Sequence, residues 1–139
     1  MATLLVHIRV KPGSEARFEA AARGLYQATH ANETKMRHYE YWRGREPGQY
    51  YAFLSFDDYN GFLEHQSSEH HENPDSGLGE SMAELDHEWL DPVGGASPLV
   101  PTNMQEPGAD ANDSARRYHE TMPAEVQEWW QALRDAATG

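Results

Sequence analysis

The sequence predicts an α+β fold in which two helices cover one face of a four-stranded antiparallel sheet, followed by a C-terminal helical extension. Stretches with alternating apolar residues and stretches with apolar residues at helical spacing follow one another in the order β-α-β-β-α-β within residues 1–100. Residues 101–115 are rich in Pro, Gly, Asn and Asp and carry few apolar side chains. We therefore predict a domain over residues 1–100, and a linker with a C-terminal helix over residues 101–139.

The first strand and the first helix are predicted by two different periodicities. Residues 3–10 alternate, so one face of this strand is wholly aliphatic and the other carries His7 and Arg9. After a Lys-Pro-Gly turn, apolar residues recur at helical spacing over residues 14–30, and Ser14 suits the N-cap position. Together they form the first β-α unit of the fold.

An aromatic hairpin forms the middle of the predicted sheet. Residues 36–45 and 50–56 are rich in Tyr, Trp and Phe, and a Glu-Pro-Gly-Gln turn signal separates them. A second helix follows, and Asp57 or Asp58 is its predicted N-cap. The hairpin and this helix extend the order to β-α-β-β-α.

The C-terminal third supplies the last strand and the extension. Residues 67–79 are polar and are predicted to be a loop, followed by a short helical turn over residues 81–85. Residues 84–93 give the fourth strand. A further helix is predicted to start at Thr121. Its apolar stripe contains two adjacent tryptophans, so we expect it to dock on its own subunit or across a dimer, with a lid over a pocket as the alternative.

The second face of the sheet is predicted to be open and apolar. The order of elements places both helices on one side, as in the ferredoxin-like split β-α-β arrangement. Because a large apolar face must be covered, we predict a homodimer in which two sheets close into an α+β barrel. A cavity is expected between each sheet and its own helices or the partner's strands. The aromatic residues predicted on the open face are Tyr39, Tyr41 (or Trp42), Tyr51, Phe53 and Trp89.

Composition and charge exclude several functions. The chain of 139 residues has no cysteine, which excludes disulfides, thiolate nucleophiles and Fe–S clusters. Its net charge of −12 repels phosphate groups, so we expect neither nucleic acid nor an anionic membrane as a partner. No apolar run approaches the length of a membrane helix, and the N-terminus lacks the pattern of a secretory signal. A cytoplasmic location is therefore predicted.

Three short segments are similar to those of a known family. The first strand ends in Val-Lys-Pro-Gly, the third runs into Phe-Asp-Asp-Tyr, and the second helix ends in His-Gln-Ser-Ser-Glu-His-His. Over residues 3–95 or so, the chain resembles the antibiotic biosynthesis monooxygenase family of small dimeric α+β barrels. The resemblance implies oxidation of a quinol or a phenolic polyketide by O₂ without metal, flavin or haem. A small aromatic molecule and O₂ are therefore the expected partners, and no cofactor is expected.

Histidines are the predicted catalytic groups. Cofactor-free oxygenation needs a base that deprotonates the phenol, a group that stabilises the oxyanion, and a dry aromatic pocket. The chain has eight histidines, and the resemblance favours those at the end of the second helix. The alternatives are a helix C-terminal cap for His65 and a solvated loop for His70 and His71. The predicted catalytic residues are His65, His70 and His71 as bases, and Arg9 (or Arg43) as the anion stabiliser.

Aromatic and histidine residues on the strands are the predicted substrate-binding groups. For each of them the alternative is a place in the dimer interface. Glu69 and Glu72 lie beside the histidine cluster, but adjacent histidines in a loop do not converge easily, so no metal is predicted. The predicted substrate-binding residues are His7, Tyr39, Tyr51, Phe53, His87 and Trp89.

Two other functions remain open on the same fold. The first is an isomerase, decarboxylase or lyase that acts on a small carbonyl compound with the same histidines, and independence from O₂ would distinguish it. The second is a non-catalytic module that binds a small molecule or takes part in an assembly. In that case, removal of the residues after 101 would abolish partner binding without affecting any turnover.

Overall fold

The computed structural model describes residues 1–138 and confirms the predicted α+β fold. The strands are β1 (Ala2–Val10), β2 (Met36–Arg43), β3 (Gln49–Phe56) and β4 (Met82–Leu90). The helices are α1 (Glu15–Asn32), α2 (Tyr59–Gln66), α3 (Glu69–Glu72), α4 (Leu78–Ser81), α5 (Asp113–Thr121) and α6 (Glu128–Thr138). The strands are antiparallel in the order β2-β3-β1-β4, so β2 and β4 are the edges of the sheet.

The hydrophobic core lies on one face of the sheet. Alternate residues of β1, namely Leu4, Val6 and Ile8, are buried on this face. Phe18 of α1 and Phe62 of α2 are fully buried in the same core. Each such side chain contributes about 1.5–3 kcal/mol by leaving water. The apolar face of β1, which has a period of two, therefore packs against the apolar faces of α1 and α2, which have a helical period.

The prediction that Tyr39, Tyr41 and Trp89 lie on the open face is wrong. The ring centroids of Tyr39 and Trp89 lie 4.8 and 4.9 Å from ring centroids on α2, and Tyr41 contacts α1 at 5.9 Å. The reason is strand register. Tyr39 is paired with Leu54 and Trp89 with Leu4, and paired residues point to the same face.

The opposite face carries the other predicted aromatic residues. Tyr51 contacts the ring of His7 at 5.6 Å, and Phe53 contacts the ring of His38 at 5.7 Å. The open-face prediction is therefore confirmed for Tyr51 and Phe53, and Trp42 rather than Tyr41 points this way, 60% exposed.

The segment between α2 and β4 is more ordered than predicted. In place of a loop over residues 67–79, it forms α3, a 3-10 turn (Pro74–Ser76) and α4. Ser68 caps α3 by accepting a hydrogen bond from the backbone N–H of His71. β4 begins earlier and ends earlier than predicted, and the helical turn predicted over residues 81–85 is wrong because this segment is already paired with β1.

The chain after β4 runs as an arm beside the N-terminal end of β1. Thr102 is fully buried; its hydroxyl donates to the carbonyl of Leu90 at 2.5 Å and accepts from the backbone N–H of Thr3 at 3.2 Å. The N-terminal ammonium of Met1 donates to the carbonyl of Pro101 at 3.0 Å. The segment predicted to be a linker is therefore bound to the sheet by hydrogen bonds.

Two helices follow the arm where one was predicted. Asn112 caps α5 by accepting a hydrogen bond from the backbone N–H of Ala115 at 2.8 Å, and Ala115 is buried in the core. Thr121, the predicted start of the last helix, ends α5, and α6 begins at Glu128. No helix within residues 1–138 has the length and apolar character needed to cross a bilayer.

Helix α6 docks on its own subunit through only one side. Trp130 is partly buried against the core, whereas Trp129 and Leu133 are 65% and 61% exposed. Arg134 donates to both carboxylate oxygens of Asp91 and, at 2.8 Å, to the carbonyl of Thr102. The docking prediction is therefore confirmed for one of the two tryptophans.

We expect replacement of Asp91 by Asn to loosen α6 and to lower the free energy of unfolding by about 1–3 kcal/mol at neutral pH. Burial would raise the pKa of Asp91, but hydrogen bonds from Arg134 and Thr102 and nearby positive charge outweigh it and hold the pKa below its usual 3.8. A carboxyl group whose pKa is lowered in the folded state stabilises the fold at any pH above its usual pKa. This stability is lost as the pH falls through the lowered pKa of the folded state. Denaturant unfolding of the two proteins should differ at neutral pH and converge well below pH 3.8. A difference that persists there would contradict this role of Asp91.

Candidate active site

A small cavity lies between the helix-covered face of the sheet and the helices. Its volume is about 70 Å³. Aliphatic side chains of β1 and β3 form its apolar wall, together with Phe18 and Leu25 of α1. Apolar walls with a few convergent polar groups are typical of sites for small molecules. The polar side chains that line the cavity are Tyr39, Tyr41, His65, Gln66, His71 and His87.

A partly buried carboxylate, that of Glu33, holds His65 near the end of α2. Nδ1 of His65 lies 2.9 Å from Oε2 of Glu33, and the side chain of His65 is 1% exposed. The same oxygen lies 2.5 Å from Nε2 of His70 on α3. Glu33 directly follows α1 as its C-cap residue. The end of α1, α2 and α3 thus bring one carboxylate and two imidazoles together.

The charge of Glu33 determines how His65 is protonated. Burial would raise the pKa of Glu33, but hydrogen bonds from His65 and His70, together with the positive charge that either ring carries when it is protonated, outweigh it and lower the pKa. An ionised carboxylate beside Nδ1 favours the tautomer with the proton on Nδ1, which leaves a lone pair on Nε2. Nε2 is therefore the atom with which His65 can accept a proton from a bound molecule.

His71 is a neutral hydrogen-bond acceptor beside His65. The two ring centroids are 5.0 Å apart. Desolvation, helped by repulsion from His65 whenever that ring is protonated, lowers the pKa of His71 to about 4, although the backbone of Gln66 and the charge of Glu33 act in the opposite direction. Nδ1 of His71 is buried and has no hydrogen-bond partner in the described part of the chain. A ligand hydroxyl in the cavity would satisfy it.

Tyr39 and Tyr41 supply hydroxyl donors. Their oxygens are 2.6 Å apart. Burial raises the pKa of Tyr41 to about 12, and it raises the pKa of Tyr39 well above the usual 10. Both phenols are therefore protonated at neutral pH. Because one hydroxyl donates to the other, the proton of the accepting hydroxyl remains available to a ligand.

Four of the predicted site residues line this cavity: His65, His71, Tyr39 and His87. Burial lowers the pKa of His87, so it too is neutral. His70 is outside the lining, and it shares the carboxylate of Glu33 with His65, which does line the cavity. Trp89 lies in the core against α2, outside the lining.

The remaining predicted site residues lie on the far side of the sheet. Nε2 of His7 lies 2.8 Å from Oε1 of Glu88, and Tyr51 and Phe53 point the same way as His7. Arg9 lies 3.7 Å from Glu46. Their placement in one site with the clustered histidines is wrong, because the sheet separates them. Arg43, the other candidate anion stabiliser, is held by Glu19 of α1.

Glu33 is not predicted from the sequence. It precedes His65 by 32 positions, so no local spacing joins them. The chain has 23 acidic residues, and nothing in the sequence distinguishes this one except its position at the end of a helix.

A wider groove lies next to the cavity. It has a volume of about 570 Å³ and runs between α1 and β2, open to solvent. Phe18 and Tyr41 line both the groove and the cavity. Movement of these two side chains would connect them, so the groove offers a route for a small molecule.

Fold and cavity together define a class of protein: a ferredoxin-like α+β domain with a small-molecule cavity between its sheet and its helices. A profile of the antibiotic biosynthesis monooxygenase family matches residues 1–73. The chain therefore belongs to this family, which confirms the resemblance found in its sequence. A search of curated proteins finds no match.

Solved structures share the fold. A Caulobacter crescentus protein, provisionally assigned as an antibiotic biosynthesis monooxygenase, is 23% identical with a TM-score of 0.62, over 66% of this chain and 89% of its own. PA3566 of Pseudomonas aeruginosa is 20% identical, with a TM-score of 0.60 over 66% and 93%. Rv0793 of Mycobacterium tuberculosis is 20% identical, with a TM-score of 0.61 over 69% and 98%. Likeness at this level of identity shows the fold alone.

Proposed function

We propose that this protein is a cofactor-independent monooxygenase that oxidises a phenol or quinol in the cavity between its sheet and helices. The observation that carries the proposal is the Glu33–His65 pair: a buried imidazole that lines the cavity and whose Nδ1 is held by a carboxylate at 2.9 Å. Its other nitrogen, Nε2, is then the one that can act on a ligand. Membership of a monooxygenase family supports the class of reaction.

The proposed reaction begins with proton transfer. Nε2 of His65 accepts the phenol proton, and the charge of Glu33 stabilises the imidazolium that forms. The Tyr39–Tyr41 hydroxyl pair donates to the phenolate oxygen, and His71 accepts from a second hydroxyl where the substrate has one. The electron-rich anion then reduces O₂. A phenol with a para hydrogen gains one oxygen atom and becomes a quinone, and the second oxygen atom leaves as water.

The size of the cavity favours a single-ring substrate. An apolar cavity of about 150 Å³ holds one benzene ring, whereas this cavity measures about 70 Å³. A ring therefore enters only when a wall moves, and Phe18 and Tyr41 are the wall shared with the groove. Polycyclic polyketides would require a much larger opening.

We also propose that the open face of the sheet pairs with a second copy of the chain. Tyr51 and Phe53 supply its apolar surface, and His7 and Arg9 lie beside them. In this proposal, these four residues serve the dimer rather than the substrate.

A second candidate function is proton transfer on a small carbonyl compound. The small volume of the cavity favours it, because an enolisable diketone or lactone needs less space than an aromatic ring. His65 would remove a proton next to the carbonyl, and the tyrosine hydroxyls would stabilise the enolate.

Oxygen uptake tests the proposed function. Metal-free protein is incubated with single-ring hydroquinones and phenols, and heat-killed protein controls for autoxidation. We expect enzyme-dependent uptake and a quinone product. Absence of uptake over the whole panel would contradict the oxygenase proposal, and turnover of a carbonyl compound without O₂ would establish the second candidate.

A further inference from the structure

Glu33, His65 and His70 place three potential metal-ligand atoms around one point. One carboxylate oxygen and two imidazole nitrogens lie within 4.8 Å of one another. The side chains are only 11%, 1% and 18% exposed. They come from the end of α1, from α2 and from α3, so packing already holds them in place. A preorganised set of this kind loses little side-chain freedom when it binds an ion.

The surroundings of this cluster favour a cation. α1 and α2 both end beside it, and the C-terminal end of a helix carries partial negative charge. Outside His70 a depression lined by Asn32, Glu69 and Glu72 opens to solvent. In a chain of net charge −12, these groups provide an attractive route for a cation.

We propose that Glu33, His65 and His70 bind a divalent transition metal ion such as Zn²⁺. Two imidazole nitrogens and one carboxylate suit Zn²⁺ and its neighbours in the first transition series, whereas Ca²⁺ and Mg²⁺ prefer oxygen ligands alone. Donors held at about 2.0–2.2 Å from one ion lie about 3–3.5 Å apart. The ion therefore takes the place of the protons that now join the carboxylate to the rings, after small side-chain shifts. Water completes its coordination.

Metal binding at this site has a consequence that rests on the proposed function. A metal ion on Nδ1 of His65 forces the ring proton onto Nε2, the atom that faces the substrate in the proposed reaction. Nε2 then becomes a donor and no longer accepts the phenol proton. Saturation with Zn²⁺ is therefore expected to suppress turnover, and a chelator is expected to restore it.

Metal titration of the full-length protein tests the proposal without any substrate. Metal-free protein is titrated with Zn²⁺ by calorimetry and with Co²⁺ by absorption, since the d–d bands of Co²⁺ report its coordination. We expect one ion per subunit, and no comparable binding of Ca²⁺ or Mg²⁺. His70→Ala and Glu33→Gln should each raise the dissociation constant at least about tenfold. His119→Ala removes a histidine outside the cluster and should bind as the parent protein does.

The outcomes separate this proposal from the proposed function. Thermal unfolding verifies that each variant is folded. If His70→Ala does not fold, Glu33→Gln alone tests the site. Saturable binding that both cluster substitutions weaken, and the control does not, supports the site. Absence of saturable Zn²⁺ binding, or unchanged affinity in folded Glu33→Gln, would overturn it. Bound Zn²⁺ that leaves turnover unchanged would instead overturn the role of His65 as the base.

Discussion

Replacement of His65 by Gln is expected to lower turnover by about 10²–10⁴-fold, the usual contribution of a positioned general base. Gln is close to His in size and polarity, but it cannot take a proton from the substrate. The affinity for the substrate should change much less, because the tyrosine donors and the apolar walls remain. Steady-state kinetics on any substrate found by oxygen uptake would measure both quantities.

The control for this prediction is His119, a partly buried histidine outside the cavity. Nδ1 of His119 is buried without a hydrogen-bond partner in the described residues, as is Nδ1 of His71. His119→Gln should therefore leave turnover unchanged. Because His65 packs between the rings of Tyr39 and Phe56, circular dichroism must verify the fold of His65→Gln. If that variant does not fold, Glu33→Gln should still lower turnover. Unimpaired turnover in folded His65→Gln would contradict its role as the base.

Replacement of Phe53 by Glu is expected to convert the proposed dimer into a monomer. Phe53 lies on an inner strand of the open face, paired with Leu5 on one side and Glu40 on the other. Two-fold symmetry would place the new carboxylate in the interface twice, where it would lack a compensating charge. The molar mass measured by light scattering should therefore fall from twice 15.8 kDa to 15.8 kDa.

A matched substitution elsewhere distinguishes loss of the interface from a general effect of charge. Tyr26 is an exposed aromatic residue on α1, 42% exposed, and it lies away from the open face. Tyr26→Glu should remain a dimer. A parent protein that is monomeric, or a Phe53→Glu variant that stays dimeric, would contradict the proposed interface.

Strand β1 was predictable because its two faces differ in chemistry. Leu4, Val6 and Ile8 form one wholly aliphatic face, whereas the other face carries His7 and Arg9, so a period of two identifies both the strand and its buried face. The hairpin is different, because Tyr41 and Trp42 make both of its faces aromatic. Its orientation depends on the pairing of Tyr39 with Leu54, which is a long-range property that local periodicity does not contain.

The candidate site was predictable only in part for the same reason. His65, His71 and His87 line the cavity as expected, because they belong to elements that the fold places around it. Glu33 joins them through packing of α1 against the segment after α2. Helix α5 was missed because its sequence is mostly polar, and the burial of Ala115 against the core accounts for its position.

The position of bound substrate tests the central claim, that chemistry takes place in the cavity between the sheet and the helices. Protein with ¹⁵N-labelled histidine would be titrated without O₂ against a phenol that supports oxygen uptake, and the imidazole signals would be followed by NMR. We predict that the signals of His65, His71 and His87 shift, while those of His7 and His38 on the open face do not. Shifts confined to His7 and His38 would place the substrate on the other side of the sheet and contradict the proposed site.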